Sequence, residues 1–220
     1  MVPMQIITVD STHSAVLRQP ATPVSLPLHI DTIAEIETMR AFYKTFSDKA
    51  GFAAPQVGIS KKIILIENSL FNDIPSDEPV ILINPVWEPI NNEKALDFEG
   101  CLSVPGKIGF VERYLNVALS AWLYSFETKT VSEIQHDYSA EFSSVLWQHE
   151  IDHLCGTVYT DKAKLVITIE EFAMMQDYFI QKGALHPDMT LFDMGPLFYR
   201  LAQEYQQSNT NDLYAFLSGQ

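Results

Sequence analysis

The 220-residue chain is 47% apolar and 19% charged, a balance that excludes a disordered polypeptide and supplies enough apolar side chains for one well-buried domain. Its 28 Asp and Glu against 14 Lys and Arg give a formal charge of −14 with no basic stripe, which argues against a nucleic-acid partner. No stretch approaches the roughly 18 apolar residues of a membrane span, and MVPMQIITVDSTHSAV at the N-terminus has the features of neither a signal nor a transit peptide; the expected location is cytoplasmic, with no membrane partner.

Residues 31–49, DTIAEIETMRAFYKTFSDK, place Ile33, Ile36, Met39, Tyr43 and Phe46 at three- and four-residue spacing behind a candidate cap at Asp31 or Thr32, and predict an amphipathic helix. KKIILIEN (61–68) and PVILIN (79–84) are short β-branched runs bounded by polar or Pro residues, and read as strands. EGCLSVPG (99–106) contains Gly100, Pro105 and Gly106, which favour turns over regular structure. NVALSAWLYSF (116–126) and TKTVSEIQ (128–135) read as two further strands. In AEFSSVLWQHEIDHLC (140–155), Phe142, Val145, Leu146, His149 and His153 stand at helical spacing, with Gly156 placed to stop the helix. TIEEFAMMQDYFIQK (168–182) predicts another helix ending at Gly183, LHPDMTLFDMGP (185–196) reads as loop, and a last helix is expected at 197–206. Helices flanking a block of antiparallel strands define an α+β fold.

Two histidines four apart share one helix face and can bind one ion, and a Glu directly after the first can reach water on that ion. His149, Glu150 and His153 have this arrangement; the bland reading is a pair of surface histidines on an acidic helix. A third protein ligand is needed. One zincin class continues as HExxHxxGxxH, which the chain follows as far as Gly156 before placing Tyr159 at the last position. Another class takes a Glu from a later helix, and Glu170 and Glu171 keep that metallopeptidase alternative open. Cys155 falls roughly 120° around the helix from His149 and reads as a small buried thiol. Cys101, the first of two cysteines, lies in a turn-rich stretch from which a thiolate can face a helix, although core packing is an equal reading.

Three segments in order, GFAAPQVG (51–58), EGCLS (99–103) and QHEIDHLCG (148–156), resemble the motifs of peptide deformylase, and DSTHSAVLRQPATPV (10–24), LINP (82–85) and VER (111–113) are similar to further segments of that family. The resemblance covers roughly residues 5–180. It implies antiparallel sheets packed around a central helix carrying HEIDH, a catalytic domain over 1–183, and a helical C-terminal extension over 184–220. It implies removal of the formyl group from the N-terminal formyl-methionine of newly made polypeptides, so the implied partner is a formyl-methionyl peptide on nascent chains. By the same resemblance Cys101, His149 and His153 hold one divalent metal, Glu150 is the general acid and base, and Gln56 with the backbone N–H of Leu102 binds the oxyanion. A sulfur ligand beside two imidazoles suits Fe2+, Zn2+, Ni2+ or Co2+, and the family favours Fe2+.

For the substrate, Gly51 and Gly100 are expected to admit a peptide strand and Val145 to line the methionine pocket, with turn glycines and a plain core residue as the bland alternatives. Arg113 and Asp152 are expected to orient the site, against the default of a surface ion pair. The family's first motif usually opens Gly-x-Gly, and the chain has Lys49, Ala50 and Gly51 there, so the loop entering the substrate cleft is expected to differ. A non-catalytic binding protein is the remaining alternative. It would use the tail aromatics Phe192, Phe198, Tyr199, Tyr205, Tyr214 and Phe216, whose bland reading is a helix packed on the domain.

Overall fold

Ile63, Ile64, Leu65 and Ile66 are all fully buried, so the strand they form meets water on neither face, as expected of a strand covered on both sides. The computed structural model describes residues 4–46, 50–72, 78–208 and 210–219. In chain order its elements are α1 (Ile30–Tyr43), β1 (Gly51–Ala53), β2 (Ile63–Ile66), α2 (Ser69–Asn72), β3 (Val80–Pro89), β4 (Lys94–Cys101), β5 (Val104–Tyr114), β6 (Asn116–Tyr124), β7 (Val131–Ser139), α3 (Phe142–Leu154), β8 (Leu165–Thr168), α4 (Ile169–Gln181), α5 (Leu191–Gln207) and α6 (Leu213–Ser218). They form two compact units, Met1–Glu93 with Tyr114–Val158, and Lys94–Arg113 with Tyr159–Gln220.

The first unit is built on an antiparallel sheet in the order β1-β2-β3-β6-β7. Side chains alternate across it: Ile64, Ile66, Val80 and Leu82 pack with Leu146, Trp147, Ile151 and Leu154 of α3. Ile63, Leu65, Ile81 and Ile83 pack with Ile36, Met39 and Tyr43 of α1. Each of these fully buried aliphatic side chains stabilises the fold by roughly 1.5–3 kcal/mol. The β3–β6 ladder slips between Ile83 and Val86, and Asn84 there adopts a positive φ of 51°. Its amide accepts from Val24 N–H and donates to Val24 C=O, both at 2.8 Å, tying the N-terminal segment to the sheet.

The α1 boundaries differ from the sequence expectation. His29 is the N-cap, its Nδ1 accepting from Asp31 N–H, while Thr32 is buried and accepts from Lys61 Nζ at 2.9 Å. The helix stops at Tyr43, where the Thr45 hydroxyl donates to Phe42 C=O at 2.7 Å. Phe46 lies beyond it, edge-on to Phe42. Lys49, the departure in the first motif, lies outside the described residues.

The second unit holds a sheet in the order β4-β5-β8. EGCLSVPG, expected to be a turn throughout, turns only at Leu102 and Ser103; Glu99–Cys101 end β4, and Val104 begins β5. Strand pairing overrides the turn preference of its glycines and proline. Capping boxes start both long helices, Thr168 with Glu171 on α4 and Thr190 with Asp193 on α5. The stretch expected to be loop up to Pro196 is therefore helical from Leu191. Gly and Pro cost about 1 and about 3 kcal/mol in a helix interior, which is why Gly195-Pro196 reads as loop in the sequence. Packing outweighs that cost: Phe198, Leu201 and Ala202 of α5 and Leu213 of α6 share a core with Phe110, Ile167, Met175 and Phe179. Antiparallel sheet and helix together make the fold α+β, and no helix among the described residues is long and apolar enough to cross a membrane.

Candidate metal centre

In the first unit, α3 is buried from Ser143 to Leu154. Gln148 pins it: Oε1 accepts from Tyr114 N–H at 3.0 Å, and Nε2 donates to Tyr114 C=O at 2.9 Å and to Ser144 C=O at 2.8 Å. The next residue is His149, 9% exposed, and one turn on is His153, 1% exposed, their ring centroids 5.0 Å apart. Glu150 between them is 3% exposed. Surface histidines on an acidic helix are thereby excluded. Gly156 ends the helix at φ 74°, and a Cβ there would fall 2.8 Å from the backbone of Arg18 and Gln19. Cys155, expected to be buried, is exposed at the C-cap; the helical turn that keeps it off the histidine face leaves it facing outward.

Gln56 sits in a 3-10 turn, Ala54–Val57, directly after β1. It is buried, and its Oε1 accepts from Ala53 N–H at 2.8 Å. This fixes which end of the amide is which: Nε2 is the donor. Gly51 belongs to a strand, not a turn, and a Cβ there would lie 2.5 Å from Leu65 C=O, so β2 itself requires glycine at this position. Val145 and Asp152 are both buried on α3.

In the second unit, Cys101 is half-buried at the end of β4, and Ser103 N–H donates to its Sγ at 3.4 Å. The two-residue turn thus aims a backbone dipole at the sulfur. Leu102, for which core packing was the bland reading, is 37% exposed. Gly100 is in a strand, and a Cβ there would meet Ile108 Cδ1 at an ordinary 3.4 Å; space alone does not demand glycine.

Alternation along β4 sets Asp97, Glu99 and Cys101 on one side. Arg113 of β5 forks onto Glu99, with Nε to Oε1 at 2.5 Å and Nη2 to Oε2 at 2.9 Å. Both are buried, so Arg113 is not the member of a surface ion pair. Glu99 is a residue that sequence reasoning left without a role; its signal was its place two residues before Cys101. Asp97 is 1% exposed, and burial pushes its carboxyl up to about 6, despite the Phe98 N–H it accepts from at 2.7 Å. Tyr159, at the position of a third histidine in other zincins, is buried and donates to Lys107 C=O at 3.1 Å.

Among the described residues, Cys101, His149 and His153 form the group of His, Cys, Asp or Glu side chains that could hold a metal ion. Buried imidazoles one turn apart and a thiol with a backbone N–H on its sulfur fit a borderline-soft divalent cation. Glu170 and Glu171 do not belong to that group. Glu170 is exposed, and Glu171 caps α4 by accepting from Thr168 N–H at 2.7 Å.

A family model described as "Polypeptide deformylase" matches residues 4–166. The chain is 52% identical over 199 residues to "Peptide deformylase 2" of Coxiella burnetii, covering 89% of this chain and 95% of that protein. Its structure is similar to that of a peptide deformylase from Thermotoga maritima, with a TM-score of 0.59 at 27% identity, covering 75% of this chain and 100% of the other. A peptide deformylase from Synechococcus elongatus in complex with actinonin gives a TM-score of 0.57 at 29% identity, covering 83% of this chain and 87% of the other.

Proposed function

The chain belongs to the polypeptide deformylase family and is a hydrolase of N-terminal formyl groups; from that premise we propose that it acts in the cytoplasm on the formyl-methionine of newly made polypeptides, with a metal held by Cys101, His149 and His153. The observation that carries this reading is the donor set: two buried imidazoles with a buried carboxylate between them on one helix, and Cys101 as the thiol of the metal-capable group. The ion, for which Fe2+ is the proposed native choice and Zn2+, Ni2+ and Co2+ are substitutes, supplies the Lewis acidity that makes water a nucleophile at neutral pH.

The protein's own groups do the rest. Glu150 takes the proton of the attacking water and passes it to the leaving amine, so the products are formate and a free N-terminus. Gln56 Nε2 and Leu102 N–H donate to the oxyanion, each worth on the order of a hundred- to a thousand-fold in rate. Gly51 and Gly100 flank the peptide as neighbouring strand backbone, and Val145 contributes to the pocket for the methionine side chain. Arg113, through Glu99, and Asp152 orient these groups without touching substrate.

Metal content of purified variants tests the ligand set. Cys101→Ala is expected to lose high-affinity metal, and Glu171→Ala to keep it. Full metal in Cys101→Ala, with loss in Glu171→Ala, would replace this reading with a metallopeptidase ligand set.

A further inference from the structure

We propose that α5, which lies beyond the residues that the family model matches, is a positioning element for the metal site: through Gly195 it fixes β4, the strand that ends in Cys101. This rests on Cys101 being a ligand. Among the described residues β4 is an edge strand, hydrogen-bonded to β5 on one side, so one side of it has no neighbouring strand to help hold its register. The helix packs against this strand. A Cβ on Gly195 would fall 2.1 Å from Leu96 C=O and 3.1 Å from Asp97 Cα, so helix backbone rests on strand backbone with no side chain between them.

Alternation along β4 links that contact to the chemistry. Leu96 and Phe98 face the helices, the Phe98 ring lying 4.8 Å from Phe172 and 5.9 Å from Phe198. Asp97, Glu99 and Cys101 take the other side. The helix thus holds the strand from behind while Arg113 holds Glu99 in front. Gly195 and Pro196 are poor helix formers kept in the second turn of a helix. The close approach accounts for the glycine where helix stability does not.

Gly195→Ala would force about 1 Å of separation between α5 and β4, and a misplacement of that size costs a catalytic site on the order of a hundred-fold in rate. The test uses the full chain loaded with Co2+, comparing wild type, Gly195→Ala and Leu213→Ala. Leu213 lies in the same core on α6 and is remote in sequence from the strand contact; it controls for loss of stability alone. The readouts are the sulfur-to-cobalt charge-transfer band, the Co2+ dissociation constant and the melting temperature. Gly195→Ala is expected to weaken Co2+ binding by roughly ten- to a hundred-fold and to shift or attenuate the band. Leu213→Ala should keep both at a comparable loss of melting temperature.

If Gly195→Ala does not fold, Phe198→Leu, which loosens the helix from Phe98 without a clash, should move the band in the same way. A wild-type band and affinity in Gly195→Ala, or equal changes in Leu213→Ala, would overturn the positioning role. A wild-type band that survives Cys101→Ser would instead overturn the ligand assignment beneath it.

Discussion

Asp97, Glu99 and Arg113 bring three ionisable groups into the buried side of a small sheet, and they do so at different cost. The Glu99–Arg113 fork is a buried pair with good geometry, in which each charge compensates the other's desolvation. Burial, reinforced by the charge of Glu99 and opposed by the Phe98 N–H and Arg113, raises the Asp97 carboxyl from 3.8 to about 6. Its contribution relative to the unfolded chain is fully present below about pH 3.8, declines as pH rises, and is lost above about pH 6. Asp97→Asn should therefore raise the melting temperature at pH 8 and change it little near pH 4, with a gain at the higher pH of at most about 3 kcal/mol. Thermal unfolding of both proteins across that range checks the sign; equal effects at both ends would exclude the linkage. None of this trio's burial was legible in the sequence, because Arg113 and Glu99 meet through their side chains in the folded sheet, 14 residues apart, and not through a local pattern. The placement of the helix motif was legible, since the spacing of His149 and His153 alone sets both rings on one face.

At the level of elements, α3 depends on how it ends as much as on what it carries. Gly156 reverses the chain at positive φ where backbone of Arg18 and Gln19 passes within 2.8 Å of any added Cβ. Gly156→Ala should cost about 2 kcal/mol or more in urea unfolding, and a loss below about 0.5 kcal/mol, the size of an ordinary surface change, would show that the segments separate freely. Elements with strong periodicity or long apolar runs were readable in advance: α1, α3 and α4, and strands β2, β3, β6 and β7. β1, at three residues, is too short to show a pattern, and β8 runs directly into α4, whose cap is the last residue of the strand, Thr168. β4 and β5 carry Asp, Glu, Gly and Pro where a strand pattern expects apolar residues, and only their pairing makes them strands. The start of α5, residues 191–196, was hidden because Gly195 and Pro196 are poor helix formers.

On the scale of the molecule, the tail is part of a core and not an appendage. Phe198, Leu201, Ala202 and Leu213 are buried with residues of β5, β8 and α4, while among the tail aromatics Tyr214 is the strongly exposed one, at 73%. A chain truncated after Gly183 loses these four side chains and leaves their partners in water, at roughly 1.5–3 kcal/mol for each large apolar group. It is expected to melt well below the full chain or to aggregate; unchanged melting and turnover would mean that this core is dispensable. The motifs told what reaction to expect, since three short segments in order specify a family. They did not tell how the tail completes the fold, because that lies in tertiary packing of a segment with no motif of its own. The most direct test of the whole account is formate release from formyl-Met-Ala-Ser, with metal content measured on the same anaerobically prepared samples of wild type and Glu150→Gln. Wild type should bind one metal and release formate, and Glu150→Gln should keep the metal while turnover falls at least about a hundred-fold; no formate from metal-replete wild type, or equal turnover in Glu150→Gln, would contradict it.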